Sequence, residues 1–230
     1  IVLNKSDIAD KNETQKWINH FEKSGICAMA ISSVNSKNLN SVLEKCRNIL
    51  SDKINAQKER GIVNRSVKIM VVGVPNVGKS SFINRIANKK SAKTGDRPGV
   101  TRGKQWIRLS NGFELLDTPG VLWPKFEDKQ AGMRLAFTGA VKDEIMDVEE
   151  LAVHLLEFLK ENYPSSLADR YKMTDFDGLD GYELLQMLGK KRGFVVSGGE
   201  IDTLRAANVL LDEFRGAVLG KITLDKVGEE

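Results

Sequence analysis

A chain of 230 residues, 41% hydrophobic and 29% charged with 5 prolines, has an ordinary globular composition and room for one large domain or two smaller ones. No apolar run approaches the roughly 20 residues of a membrane span, and the N-terminus has no basic-then-apolar leader. That lack of a span predicts no membrane partner, and the two cysteines, Cys27 and Cys46, make no disulfide framework and suit a reducing cytoplasm.

The net charge of +4 conceals a division. Residues 1–120 carry 21 Lys and Arg against 10 Asp and Glu, whereas residues 121–230 carry 14 against 21. A basic front half suits phosphate-rich partners, a nucleotide or RNA. The acidic back half allows only local basic spots. Two differently solvated faces would account for the same asymmetry.

In chain order, Ile1–Leu3 reads as the stub of a strand, and Trp17, Ile18 and Phe21 predict a helix over 12–23. Residues 27–31 (CAMAI) read as a short buried strand. Leu39, Val42, Leu43, Cys46, Ile49 and Leu50 recur at helical intervals. After a polar stretch, 51–66, a strand over 67–72 (VKIMVV) runs into a glycine loop and then a helix over 80–88. Residues 104–109 (KQWIRL) and 113–117 (FELLD) flank Asn111-Gly112, a hairpin signal. Strand–helix alternation with one antiparallel hairpin predicts an α/β fold, a mainly parallel sheet with helices on both faces.

Past Trp123-Pro124 the pattern is helical. Leu151, Leu155, Leu156 and Leu159 form one stripe, Leu184, Leu185 and Leu188 a second, and Ala207, Leu210, Leu211, Phe214 and Val218 a third. Pro164, the Asp/Gly run 175–181 and the stretch 192–200 separate them, with a short strand at 194–196 (FVV). The expected division is an α/β domain over 1–126 and a small all-α domain over 127–230.

Gly73-Val74-Pro75-Asn76-Val77-Gly78-Lys79-Ser80 fits G-x4-G-K-S/T between a strand and a helix. Pro75, Asn76, Val77, Gly78, Lys79, Ser80 and Ser81 would then surround a triphosphate, with backbone N–H groups and the helix N-terminus facing its charge. Lys79 would reach the β- and γ-phosphates, and Ser80 would offer its hydroxyl to magnesium. Asp117-Thr118-Pro119-Gly120 ends the second hairpin strand, where Asp117 would hold the metal through water and the Gly120 N–H would meet the γ-phosphate. Thr101, in the polar connector Arg97–Thr101, would give magnesium a second hydroxyl.

Asn4-Lys5-Ser6-Asp7 then has a use. Guanine presents N1–H and N2–H₂ donors that one carboxylate, Asp7, accepts together; adenine lacks the pair. Asn4 would contact the base edge and tie its loop to the phosphate loop, and the stem of Lys5 would cover the ring. In Ser33-Val34-Asn35 the Val34 N–H would meet guanine O6. A helix-capping Asp7 is the plain alternative for the tetrad taken alone.

These motifs, with "GVPNVGKSSFINRIA", "RPGVT" and "DTPGVLWPKFED", resemble the circularly permuted GTPases of the ribosome biogenesis GTPase A family, large-subunit assembly factors. The resemblance is most specific over 73–125 and extends over nearly the whole chain. It implies a Ras-like domain with the base-reading motifs ahead of the phosphate loop, GTP/GDP and Mg²⁺ as ligands, and a large-subunit precursor with its rRNA, not DNA, as partner. A strand–helix unit upstream of Ile1 is expected, since a Ras-like sheet would otherwise lack an inner strand.

The resemblance also bears on hydrolysis. Ras-type enzymes orient the attacking water with a glutamine after the DTPG-like turn; here Val121 stands there. The resemblance implies a class with this hydrophobic replacement, slow alone and stimulated by the ribosomal particle, with a catalytic histidine upstream of Ile1. Asn76 matches an asparagine that helps hold potassium in related GTPases; a simple turn residue is the alternative. His20 and His154 fall on predicted helices away from the motifs, in surface or packing roles. Lys89, Lys90, Lys93, Arg97 and Arg102 serve solubility or meet rRNA once GTP orders the Thr101 loop. Lys190, Lys191 and Arg192 are a second RNA candidate or a helix C-terminal charge complement. "DFDGLDG" at 175–181 fails as a calcium loop because Leu179 occupies a ligand position. The leading expectation is a GTP-gated checkpoint of large-subunit assembly. Its rivals are a nucleotide-gated RNA-binding module with incidental hydrolysis and a GTPase of tRNA modification or signalling.

Overall fold

A computed structural model describes residues 1–35, 38–62, 66–87, 105–109, 112–122, 128–141 and 146–228. The chain divides into two compact units, Ile1–Trp123 with Asp225–Glu230, and Pro124–Leu224. Where the sequence reading carried the helical domain from 127 to 230, the last described residues group with the first unit; the Trp17 indole N–H donates to the Asp225 carbonyl at 2.9 Å.

The first unit runs β1 (Val2–Leu3), α1 (Lys11–Lys23), β2 (Met29–Ala30), α2 (Leu39–Ile49), α3 (Ser51–Glu59), β3 (Val67–Val71), α4 (Lys79–Ile86), β4 (Gln105–Arg108) and β5 (Phe113–Asp117). β1 pairs parallel with β2; β3 pairs parallel with β5, and β4 antiparallel with β5. Parallel pairing with one antiparallel partner follows the alternation in the sequence. The described strands nevertheless form two separate ladders, β1-β2 and β3-β5-β4, rather than one sheet, because none of them stands between the two.

Period-two burial along β5 turns Phe113, Leu115 and Asp117 inward. Leu115 joins Ile31, Leu39, Val42, Phe82, Ile83 and Ile107 in the core of this unit. Each large side chain there stabilises the fold by roughly 1.5–3 kcal/mol over its exposed state. At α1, Asp10 accepts from the backbone N–H groups of Asn12 and Glu13, giving that helix its N-cap. The sequence reading left 51–66 as a polar stretch, but α3 lies within it. It buries no side chain and so offers no apolar stripe to read; Lys, Ala, Gln and Glu favour the helix by propensity alone.

The second unit is helical: α5 (Lys129–Phe137), α6 (Val148–Asn162), α7 (Pro164–Tyr171), α8 (Gly181–Arg192) and α9 (Thr203–Arg215). Leu151, Leu155, Leu156 and Leu159 of α6 pack with Leu184, Leu185 and Leu188 of α8 and with Ala206, Ala207, Leu210 and Leu211 of α9. Asp180 and Glu183 close a reciprocal cap at the start of α8. A Cβ on Gly181 would stand 2.6 Å from Val153 Cγ1 and 2.8 Å from its carbonyl, so glycine lets α8 approach α6.

Two sequence expectations change. Val218 is not part of the α9 stripe: the helix stops at Arg215, Ala217 takes a left-handed φ of 58°, and Val218 is exposed. The strand expected at 194–196 is only an isolated bridge between Val195 and Ile201. No described helix is long and apolar enough to cross a membrane.

Candidate functional site

The parallel pair β3-β5 delivers two loops side by side, because Val71 and Asp117 are register partners at the ends of their strands. After β3 the chain turns through Asn76, at a left-handed φ of 60°, to Gly78 at 89°, which caps the N-terminus of α4. Lys79 folds back over this turn, its Nζ donating to the carbonyls of Gly73 at 3.0 Å and Val74 at 2.7 Å. Burial lowers the Lys79 pKa, and the Asp117 carboxylate partly offsets that.

Asp117 is fully buried. Neither of its carboxylate oxygens receives a hydrogen bond of ordinary geometry from a described residue. Burial pushes its pKa up; Lys79, and then the neighbouring Thr118 N–H, only temper the rise. A buried carboxylate with open lone pairs, on a strand packed against α4, whose second residue is Ser80, suits a hard cation that takes oxygen ligands. No cluster of three or more His, Cys, Asp or Glu with metal-binding spacing occurs among the described residues, so such a cation would depend on this carboxylate, hydroxyls and phosphate oxygens.

Thr118 anchors the turn after β5 through its hydroxyl, which donates to the Val71 carbonyl at 2.7 Å. Gly120 then presses on the phosphate loop: a Cβ there would lie 2.7 Å from Pro75 Cα and N. The Val121 N–H donates to the Gly73 carbonyl at 3.3 Å, and its side chain is exposed.

The N-terminal tetrad lies against this loop. Leu3 and Ser6 exchange backbone hydrogen bonds with Ile31, which brings the turn around Lys5 (φ 61°) beside residues 31–35. Asn4 is the clasp. Its Nδ2 donates to the Val77 carbonyl at 2.9 Å, while its Oδ1 accepts from the Ser33 N–H at 3.1 Å and the Ser33 hydroxyl at 2.9 Å. A Cβ on Gly78 would sit 2.4 Å from Asn4 Nδ2, so the fit requires glycine there. The Asp7 carboxylate is half-buried and takes no hydrogen bond from a described residue.

Arg85, on α4, donates from Nε to the Ser33 carbonyl at 3.3 Å and from Nη2 to the Val34 carbonyl. The sequence gives Arg85 no role, and it names Thr118 only as part of the Asp117–Gly120 motif. Arg85 sits in the last turn of α4 and reads as an ordinary helix-end cation until the 31–35 loop is placed beside it.

Thr101 and the basic residues Lys89, Lys90, Lys93, Arg97 and Arg102 lie outside the described residues, as does Asn111 of the expected hairpin turn. His20 makes edge contacts with Trp17 and Phe21, and His154 Nδ1 lies 3.2 Å from Glu157 Oε2; neither joins the site. Lys190 and Lys191 are exposed, whereas Arg192 donates to Glu213 at 3.2 Å.

A family model described as 50S ribosome-binding GTPase matches residues 68–190. Ribosome biogenesis GTPase A of Bacillus pumilus is 44% identical over 226 residues, covering 98% of this chain and 80% of that protein. The Bacillus licheniformis protein of that name is 45% identical with the same coverage. Among solved structures, GDP-bound YlqF superposes with a TM-score of 0.67 at 24% identity, covering all of this chain and 83% of that one. GNP-bound YlqF from T. maritima gives 0.63 at 24%, covering 98% and 80%. At that identity the likeness speaks for the fold, a P-loop GTPase domain, and the sequence matches carry the kinship: the chain belongs to the ribosome biogenesis GTPase A family.

Proposed function

We propose that this chain hydrolyses GTP as a checkpoint in large ribosomal subunit assembly, docking on the immature particle with GTP bound and leaving after hydrolysis. The observation that carries the reading is the Asn4 clasp. One side chain bonds both the phosphate loop and the Ser33 loop, which supports a single site for base and phosphates built from segments in permuted order. The named relatives are ribosome biogenesis proteins, which supports the biological setting.

In this reading Asp7 accepts from guanine N1–H and N2–H₂, the Lys5 stem covers the ring and the Val34 N–H donates to O6. Lys79 exchanges the Gly73 and Val74 carbonyls for β- and γ-phosphate oxygens. Asp117 and Ser80, with Thr101, would hold magnesium, which when bound neutralises charge developing between those phosphates. Asn76 would help hold potassium beside them. The Gly120 N–H faces the γ-phosphate. Val121 has no polar side-chain atom with which to orient water, so turnover is slow alone and rises on the particle, where rRNA meets the basic residues.

GTP turnover in potassium and in sodium, with and without large subunits, tests this. Stimulation by both potassium and subunits is expected. No response to subunits removes the checkpoint reading. Normal assembly in cells carrying a Lys79→Ala protein that still binds particles points instead to a nucleotide-gated RNA-binding module.

A further inference from the structure

In the loop over 31–35 the Val34 peptide lies between two donors already engaged by described residues. The Ser33 N–H is spent on Asn4, and the Asn35 N–H donates to the Ser32 hydroxyl at 3.1 Å. The Val34 N–H donates to no described residue, and the Val34 side chain is exposed. The two carbonyls that flank this donor, Ser33 and Val34, both accept from Arg85. Two donors from one planar guanidinium fix the direction of both carbonyls. The Ser33 carbonyl and the Val34 N–H belong to the same peptide plane. Holding that carbonyl therefore aims that N–H.

Arg85 also stands six residues after Lys79 on a single short helix, so α4 carries the phosphate-loop lysine at one end and this clamp at the other. Helix-end cations ordinarily meet their own helix's carbonyls; the bonds of Arg85 to another loop are the departure that calls for a reason.

We infer that Arg85 is a specificity-determining positioning residue: by holding the Ser33 and Val34 carbonyls it aims the Val34 N–H at the 6-position of the bound base, so that a carbonyl there is accepted and an amino group rejected. The inference rests on the guanine reading above. Arg85 touches no base atom itself. An N–H free to swing would meet adenine's amino group at less cost and guanine's carbonyl with less gain.

The test compares affinities of wild type, Arg85→Met and Arg85→Lys for GDP, ADP and 2-aminoadenosine diphosphate. The last keeps the 2-amino donor for Asp7, but its N1 carries no hydrogen and an amino group stands at position 6. Arg85→Met keeps the side-chain length and removes both donors. It should lose about tenfold in GDP affinity, the worth of roughly one hydrogen bond, while ADP and 2-aminoadenosine diphosphate change less than twofold. Arg85→Lys, with one compact donor group, should fall between and keeps the result readable if the Met variant folds poorly. Equal losses for all three nucleotides would make Arg85 a mere support of α4 and overturn the proposal. An unchanged GDP preference in both variants would overturn it too. A wild type that binds GDP and ADP alike would instead remove the guanine reading itself, and the two failures are thereby told apart.

Discussion

A buried carboxylate whose oxygens receive no hydrogen bond of ordinary geometry from a described residue is costly to ionise, and Asp117 is in that position. Its folded-state pKa is raised, chiefly by burial, above the unfolded value. It therefore contributes stability below the unfolded pKa that is lost as pH rises through the folded one, and near neutrality it is a cost. Asp117→Asn should raise the melting temperature of the nucleotide-free, magnesium-free protein by about 2–4 °C, equivalent to about 1 kcal/mol in a chain of this size. The same change should abolish the magnesium dependence of GTP affinity. Calorimetry with and without magnesium checks both. Gly120→Ala makes the opposite trade: its Cβ would collide with the Pro75 backbone, so it should weaken GTP binding and lower the melting temperature together. Asp7→Ala should sharply reduce the preference for GTP over ATP, measured by competition binding, leaving only the share read at the 6-position of the base, since this carboxylate is otherwise unengaged by described residues.

Among the elements, α7, α8 and α9 share one acceptor. Glu213 of α9 accepts from Arg170 Nε at 2.8 Å, from the Tyr171 hydroxyl at 2.8 Å and from Arg192 at 3.2 Å. Bonding to Arg170 depresses the Glu213 pKa, while burial, followed by the bond to Glu213, pushes the Tyr171 pKa upward. The signs set a window. The Glu213 contribution is present above the ordinary carboxylate value, about 4.3, and is lost as pH falls through its lowered pKa. The Tyr171 contribution is present below the ordinary tyrosine value, about 10, and is lost as pH rises toward its raised pKa. Urea unfolding across pH should show a plateau between these limits. Tyr171→Phe should flatten the alkaline limb, and Glu213→Ala should cost about 1–3 kcal/mol throughout the plateau; both arginines are about one-third exposed, which keeps the figure below that of a dry pair.

For the molecule as a whole, each unit has its own hydrophobic core: residues 136–224 supply one and residues 31–115 the other. Residues 128–224 expressed alone should therefore melt cooperatively by circular dichroism, and a non-cooperative melt would mean that the helices depend on the rest of the chain. The acidic half offers Lys190 and Lys191 as exposed cations, whereas Arg192 is engaged by Glu213. If rRNA meets this unit, Lys190→Glu with Lys191→Glu should weaken binding to large subunits and reduce its salt dependence in sedimentation assays, and Arg192→Glu should instead act mainly through stability.

Motif chemistry was readable from residue order because it is local. A glycine turn between a strand and a helix, a carboxylate closing a hairpin strand and leucines at helical spacing need only their own neighbours to be recognised. α3 escaped because propensity without an apolar stripe leaves no periodic signal, and Val218 was misjudged because a left-handed residue ended its helix first. The contacts that bind the site together are of another kind. Asn4 meets Val77 across 73 residues, and Arg85 meets Val34 across 51. The tetrad's place among the motifs already tied Asn4 to the phosphate loop, but its Val77 acceptor and the Arg85–Val34 bond are marked by nothing along the chain, since hydrogen bonds depend on distance in space. The loops were thus written in the order of residues. Their approach to one another, the burial of Asp117 and the bonds of Arg85 to the Ser33 and Val34 carbonyls arose only when the strands brought those loops together.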